Sequence, residues 1–118
     1  MKNIVFILYI LLASFSIVEA QVCKISNSND NVEVFSASIV DNSKVVVTVG
    51  NDSQDISANV TVVVVVTYES SNYTKNYTGK KVAHPNTETA IEIPIETSYY
   101  DRKPTSVKVT SISGTKCQ

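Results

Sequence analysis

The feature that most constrains this chain is the distribution of leucine, which is confined to the first twelve residues. Leu8, Leu11 and Leu12 are the only leucines among 118 residues, and the single methionine is Met1. From residue 21 onward, 98 residues contain four Ala but 17 Val, seven Ile and 11 Thr. Leu, Ala and Met favour helices, whereas β-branched residues fit a pleated sheet. A helical bundle is therefore excluded, a doubly wound α/β fold is disfavoured, and the length allows one small all-β domain.

The first twenty residues form a separate unit. Lys2 gives a short basic start, an uninterrupted apolar run follows from Ile4 to Ala13, and Val18-Glu19-Ala20 places small or apolar residues where a signal peptidase cleaves. This pattern predicts a secretory signal peptide over residues 1–20 and a mature domain over residues 21–118. An uncleaved membrane anchor is the alternative, but the run is shorter than the ~20 apolar residues that a spanning helix needs. We expect a secreted, extracellular protein with no membrane insertion after the leader is removed.

The net charge of the chain is −1, and it stays at −1 when Lys2 and Glu19 leave with the leader. A protein that binds nucleic acid or an anionic lipid surface normally carries a basic patch. The sequence therefore predicts no nucleic-acid partner.

Two cysteines, Cys23 and Cys117, lie near the two ends of the mature chain. In an oxidising compartment an even pair of this kind predicts a disulfide. A redox or metal site would need further ligands or a C-x-x-C spacing, and the sequence has neither. The bridge would close a loop of nearly the whole domain, which in the chain-entropy model stabilises it by about 4 to 5 kcal/mol.

Four Asn-x-Ser/Thr sequons occur in the mature chain, and they predict a glycoprotein if the source glycosylates its secreted proteins. Chance is the alternative, because Asn, Ser and Thr are all abundant here, and an Asp occupies the middle position of the first sequon. The four candidate asparagines are Asn51, Asn59, Asn72 and Asn76.

Alternation of apolar and polar residues predicts six strands, at 31–40, 44–49, 57–68, 77–83, 88–95 and 105–113, and leaves open a short seventh at 22–25. Turn-forming residues separate them. Pro94 cannot donate a backbone hydrogen bond, so its strand must be an edge strand or be bulged there. Six or seven short strands in just under 100 residues predict a single immunoglobulin-like antiparallel β-sandwich.

The third strand carries five consecutive valines, Val62 to Val66. If Asn59 bears a sugar and faces solvent, Val63 and Val65 share its outward face while the even positions face the core. Two outward valines are unusual for a soluble module. The strand could be covered on both sides, could form an interface, or could be an aggregation-prone run that a nearby glycan guards.

The segment from Lys44 to Val62, KVVVTVGNDSQDISANVTV, resembles the strand, turn and strand unit of secreted β-sandwich modules. These include immunoglobulin-like and fibronectin-like domains and the cellulose-type carbohydrate-binding domains of extracellular matrix proteins. The resemblance implies a β-sandwich fold. The chain departs from those families at informative places, because it has no Trp to stack on sugar rings and lacks the Trp and cysteine spacing of antibody domains.

Residues that could carry catalysis are sparse. His84 is the only histidine and lies beside Pro85 in a turn, so a solvated side chain is expected in place of a general base. Asp52 and Asp55 lack the Gly and the distal Glu of a calcium loop. Glu88, Glu92 and Glu96 are spaced by four on strands and are expected to form a solvated face. We therefore predict no enzymatic activity, no metal and no cofactor.

The aromatic residues give the strongest indication of a binding surface. If consecutive strands alternate in direction, the loops at 41–43, 69–76 and 96–104 meet at one end of the sandwich. That end would collect most aromatic residues of the mature chain with nearby charges, and tyrosine suits loops that bind protein or sugar. Packing at the strand ends is the alternative. The candidate ligand-binding residues are Tyr68, Tyr73, Tyr77, Tyr99, Tyr100 and Arg102.

Three functions remain open at this point. The first is a secreted module that binds carbohydrate or a cell-surface or matrix protein through the tyrosine-rich loop end. The second is a structural matrix or coat component without a discrete ligand, and the third is a secreted inhibitor of a protease or hydrolase. Nothing in the sequence fixes the oligomeric state.

Overall fold

A computed structural model describes residues 23–26 and 31–117 of the chain, and these residues form strands, turns and irregular segments but no helix. The predicted leader at residues 1–20 lies outside the described residues. The strands are β1 Lys24–Ser26, β2 Asn31–Val40, β3 Lys44–Asn51, β4 Ala58–Tyr68, β5 Ser70–Ala83, β6 Thr87–Pro94, β7 Pro104–Ile112 and β8 Thr115–Lys116.

The strands form two four-stranded sheets, with the orders β1-β2-β3-β6 and β5-β4-β7-β8. Every neighbouring pair is antiparallel. The chain passes from one sheet to the other after β3, after β5 and after β6, whereas the remaining connections join neighbours in the same sheet. The prediction of an all-β, antiparallel, two-sheet architecture is confirmed.

One core lies between the sheets and is built from β-branched residues, because the alternation of the strands delivers every second side chain to it. In β4 the even positions from Val60 to Tyr68 are buried, while Val63 and Val65 are only half-buried. Tyr68 is the largest fully buried side chain. The other buried hydrophobic residues are Cys23, Val32, Val45, Val47, Val49, Ala58, Ala83, Ile91, Ile93, Ile95, Val109 and Ile112.

The segment 69–76 was expected to be a loop, and that expectation was wrong. A single connecting residue, Glu69 with φ of 30°, leads from β4 directly into the 14-residue strand β5. From residue 72 to residue 77, the outward residues of β5 are polar and the inward residues are Tyr or Lys, so the hydrophobic alternation that identifies a strand is missing there. The strand forms because Val62 to Val66 supply a long partner, with Val66 opposite Lys75 and Val64 opposite Tyr77.

Strand β6 is an edge strand, and Pro94 is its last residue. This agrees with the expectation that a proline without a backbone donor lies at a sheet edge. Strand β5 is an edge strand of the other sheet, and it packs against β6.

Gly79 permits the close approach of these two edge strands. A Cβ atom at this position would lie 2.5 Å from Cγ1 of Ile93 and 3.0 Å from Cγ2 of Ile91, both of which are buried. At Gly50 a Cβ atom would instead lie 2.5 Å from the ring of Phe35, a side chain that is 54% exposed. The core therefore tolerates a side chain at Gly79 far less readily than at Gly50.

The predicted disulfide joins Cys23 to Cys117, 94 residues apart in sequence. Cys23 precedes β1 of one sheet and Cys117 follows β8 of the other, so the bond links the two sheets across the side opposite β5 and β6. Backbone hydrogen bonds from Val34 to Cys23 and from Cys117 to Thr110 anchor the two cysteines to β2 and β7.

Candidate functional site

The connection between β6 and β7, residues 95–103, carries the most distinctive group of side chains in the molecule. Its start is held because Ile95 N donates to Ser43 O at 3.0 Å. Its end is held by Glu69, whose backbone N donates to Lys103 O at 3.0 Å and whose Oε1 accepts from Lys103 N at 2.7 Å. The turns after β2 and β4 and the β6–β7 connection therefore meet at one end of the sandwich.

The tip of this connection is a tight turn with an unfavourable residue in it. Tyr99 and Arg102 exchange two backbone hydrogen bonds of 3.0 Å, and the residues between them, Tyr100 and Asp101, have φ of 51° and 60°. Positive φ at both central positions defines a type I′ turn, which normally uses Asn, Asp or Gly. A tyrosine in the left-handed region costs roughly 1–2 kcal/mol.

The turn after β2 makes a useful comparison. It also has two residues of positive φ, 54° and 55°, and fills them with Asp41 and Asn42, which tolerate this conformation. Four of the seven described non-Gly residues with positive φ are Asp or Asn, and Tyr100 is the one aromatic residue among the other three, beside Glu69 and Ser113. Strained residues that persist in a fold are concentrated at functional sites.

The five tyrosines Tyr68, Tyr73, Tyr77, Tyr99 and Tyr100 meet at this end, and we refer to them as the tyrosine cluster. The Tyr99 ring lies at its centre, with ring centroids 4.6 Å from Tyr100, 5.5 Å from Tyr68 and 6.3 Å from Tyr73. Tyr73 also contacts Tyr100 at 5.5 Å. The pairs are tilted or edge to face, which is the favourable arrangement for aromatic rings.

The inner tyrosines support the cluster and do not face solvent. Tyr68 is 0% exposed, so it cannot contact a ligand directly, and its expected role as a binding residue is corrected to a supporting one. Its hydroxyl donates to Glu96 O at 2.8 Å and lies 2.7 Å from the Tyr77 hydroxyl. Glu96 N in turn donates to the Tyr77 hydroxyl at 3.2 Å.

These three contacts fix the proton positions. Because the Tyr68 hydroxyl gives its proton to Glu96 O, the Tyr77 hydroxyl must donate to Tyr68. The result is a closed ring of hydrogen bonds from the Glu96 amide through both hydroxyls back to the Glu96 carbonyl. Burial, then the hydrogen bond with Tyr77 and the charge of Glu96, raise the pKa of the Tyr68 phenol above its ordinary value of 10.0. Sequence reasoning missed Glu96 because the contacts of its backbone depend on tertiary structure.

Two cations flank the rings. The Arg102 guanidinium carbon lies 4.2 Å from the centroid of Tyr73, and Lys75 Nζ lies 5.3 Å from that of Tyr99, both within cation–π range. Lys75 also pairs with the Glu96 carboxylate, and this hydrogen bond raises the pKa of the Lys75 ammonium group. Among the described residues, no carboxylate lies within ion-pair distance of Arg102.

The cluster thus divides into a supporting layer and a presented layer. Tyr100 is 69% exposed, Tyr73 and Tyr99 are half-buried beside it, and Arg102 completes the patch. Rigid ring faces, phenol hydroxyls and an unpaired guanidinium can stack on a sugar ring, bind its hydroxyls or receive a protein side chain. Tyr77 is half-buried and belongs with Tyr68 to the supporting layer.

One of the four sequon asparagines is part of the interior. Asn51 is 2% exposed, and its Nδ2 atom, which would carry a glycan, donates to Ile56 O and Ala83 O at 2.9 Å each. Its Oδ1 accepts from Ser53 N at 3.0 Å, which closes an Asx turn at the end of β3. A glycan would break these bonds, so the structure gives Asn51 a structural role in place of the modification expected there.

The other three sequon asparagines, Asn59, Asn72 and Asn76, are exposed. Along β5 the exposed asparagines alternate with the half-buried Tyr73 and Tyr77, which pack on the core. Sugars on Asn72 or Asn76 would therefore point away from the tyrosine cluster. Asn72 and Asn76 are close in sequence to the tyrosines, but glycans in this direction would leave the cluster accessible to a partner.

Among the residues set aside as catalytic or metal candidates, Glu96 belongs to this site, where it contacts Tyr68 and Lys75. His84, Asp52 and Asp55 are exposed, and within residues 23–26 and 31–117 no three His, Cys, Asp or Glu side chains are placed to hold a metal ion. Over the same residues, no helix has the length and hydropathy of a membrane span.

No protein-family model, curated protein or solved structure matches this chain.

Proposed function

We propose that this protein is a secreted, non-enzymatic β-sandwich module that binds carbohydrate or a cell-surface or matrix protein through the presented layer of the tyrosine cluster. The single observation that supports this most is the strained turn that exposes Tyr100. An Asn or Gly at that position would relieve the strain, as the comparable turn at 41–42 does. The Tyr100 ring contacts Tyr99 and Tyr73 yet stays 69% exposed, so these contacts use only part of its surface.

The unpaired Arg102 beside the exposed ring adds a second argument. Tyr and Arg are the residue types that dominate the energetics of protein interfaces, and aromatic faces with hydrogen-bonding groups around them suit sugars equally. An interior packing role would leave no reason to keep the Tyr100 ring 69% exposed. An experiment on this proposal must therefore include both carbohydrate and protein ligands.

The proposal places the module in the immunoglobulin-like class of sandwiches. Three crossings between the sheets, together with the neighbours β3-β6 in one sheet and β4-β7 in the other, support this assignment. Such sandwiches collect their variable loops at the ends, where the tyrosine cluster lies. The disulfide is in keeping with an oxidising, extracellular location.

Tyr100→Asn tests the proposal, because asparagine relieves the turn strain while deleting the ring. We expect the melting temperature of this variant to stay the same or rise by a few degrees, in line with up to about 1 kcal/mol of relieved strain. Binding to ligands found on a glycan array or by pull-down of extracellular proteins should be lost.

Phe35→Ser provides the matched control. Phe35 is another exposed aromatic side chain, but it lies on β2 over Gly50, away from the cluster. Its replacement should leave binding intact. Binding that survives Tyr100→Asn, or that is lost equally in Phe35→Ser, would place the ligand elsewhere, and a chain that binds neither glycans nor extracellular proteins would refute the function.

A further inference from the structure

The outward face of the β5-β4-β7 sheet combines apolar side chains with sequons. On β4 the outward residues include Asn59, Val63 and Val65, and the two valines are half-buried. Val82 on β5 is 42% exposed on the same face. The three valines are partly exposed on this sheet surface, with Thr61 and Lys80 between Val82 and the other two.

The strand register sets the sequon asparagines directly beside these valines. Asn76 of β5 is the pairing partner of Val65, and Asn59 of β4 is the pairing partner of Val82. Cross-strand partners have Cβ atoms about 4.5–5.5 Å apart, so the first sugar of a glycan on either asparagine lies within contact distance of the neighbouring valine. The sequons thus occupy the two positions from which a sugar covers this face.

The face carries some protection against association besides the sequons. Its charged residues on β5, β4 and β7 are lysines, Lys80 opposite Thr61 and Lys108 opposite Val65, whereas the run Val62 to Val66 contains no charge, Gly or Pro. A window of this kind has high β-propensity and low charge, which are the properties of aggregation-prone segments. Lysine is one residue with which natural proteins limit association of sheets, and here Asn-x-Thr sequons stand beside the lysines.

We propose that Asn59 and Asn76 carry N-linked glycans and that these glycans cover the valines of the outward face, keeping the protein monomeric. The inference rests on the proposed secretion, because N-glycans are added in the secretory pathway. It is independent of the ligand of the tyrosine cluster, from which these asparagines point away. Asn51 carries no glycan, since its Nδ2 atom is committed to two backbone carbonyls.

The test expresses the full 118-residue chain in insect cells and, in parallel, residues 21–118 behind a signal peptide of proven function. Mass mapping of the secreted protein before and after digestion with peptide N-glycosidase should find sugar on Asn59 and Asn76 and none on Asn51. If only the second form reaches the medium, the proposed secretion fails while the glycan assignment is still decided.

Covering is tested by removing each glycan in two ways. Asn59→Gln with Asn76→Gln, and separately Thr61→Ala with Thr78→Ala, both delete the sequons but leave different residues in place. Both pairs should shift the protein from monomer to larger species in size-exclusion chromatography, and both should increase the binding of a hydrophobic dye.

Val65→Thr added to the Asn→Gln pair should restore the monomer, because it removes the apolar surface that the sugar would have covered. Bare Asn59 or Asn76 in the secreted protein, a glycan on Asn51, or variants without these two sequons that remain monomeric would each overturn the inference.

Discussion

The hydrogen-bonded ring of Tyr68, Tyr77 and the Glu96 backbone gives a prediction whose size follows from the structure. Tyr68→Phe keeps the buried ring and deletes two hydrogen bonds, at 2.8 Å to Glu96 O and 2.7 Å to the Tyr77 hydroxyl. Each is worth about 0.5–1.5 kcal/mol net, so we expect a loss of about 1–3 kcal/mol of unfolding free energy. For a domain of this size that corresponds to a fall in melting temperature of roughly 5–20 °C.

The closed ring also predicts non-additivity. Tyr77→Phe breaks the same ring at another point, so the second substitution should cost much less than the first, and a double-mutant cycle should give a coupling energy of about 0.5 kcal/mol or more. Urea unfolding followed by circular dichroism measures all four proteins. Additive effects, or a Tyr68→Phe variant as stable as the parent, would contradict the proposed ring.

The same hydroxyl predicts a pH dependence. The folded protein holds the Tyr68 proton more tightly than the unfolded chain does, because the pKa is raised in the fold. The stabilisation is therefore complete below pH 10.0, the ordinary pKa, and declines as the pH rises above it, where only the unfolded chain releases the proton. The stability difference between the parent and Tyr68→Phe should be constant below about pH 9 and shrink as the pH rises above about 10, and a difference that stays constant over the whole range would count against the assignment.

Two further predictions concern the scaffold. Gly79→Ala should lower the unfolding free energy by about 1–3 kcal/mol, because the new methyl group meets the buried Ile93. Gly50→Ala should cost less than about 1 kcal/mol, because its methyl group meets only the exposed ring of Phe35. Equal losses of the two variants in thermal unfolding would contradict this. Replacing both Cys23 and Cys117 by Ala removes a bridge across 94 residues, worth about 4–5 kcal/mol, and should lower the melting temperature by more than about 10 °C. A negligible shift would show that the valine core is sufficient without its crosslink.

The scaffold was predictable because its determinants are local or nearly so. The alternation in Val45-Val47-Val49 and Ile91-Ile93-Ile95 identifies β3 and β6 and the faces they bury, since a strand has a side-chain period of two. The pairing of Cys23 with Cys117 needed no geometry, because the chain has only two cysteines. Residues 77–83 of β5 were predicted as a strand, but residues 70–76 were not, because the half-buried side chains there, Tyr73 and Lys75, give no apolar alternation.

The candidate site shows the same division. The gathering of tyrosines at one end follows from alternating strand directions, which the order of the strands implies. The inward direction of Tyr68 follows from the alternation along β4, but its hydrogen-bonded ring with Glu96 and Tyr77 and the exposure of Tyr100 by a turn could not be foreseen, because both depend on contacts made in the fold. At Asn51 the local sequence fits glycosylation, but the contacts of its buried side chain do not, and the sequence does not show those contacts.

The sequence by itself determined that this chain is a two-sheet all-β domain with a core of Val and Ile and one crosslink, because composition and period-two alternation are properties of neighbouring residues. The tertiary structure alone decided which side chains face solvent at the cluster, which sequons are accessible and how closely the edges approach at Gly79. Those outcomes depend on strand register and on contacts between residues far apart in sequence, such as Tyr68 with Glu96, and a single strand carries no record of its partners.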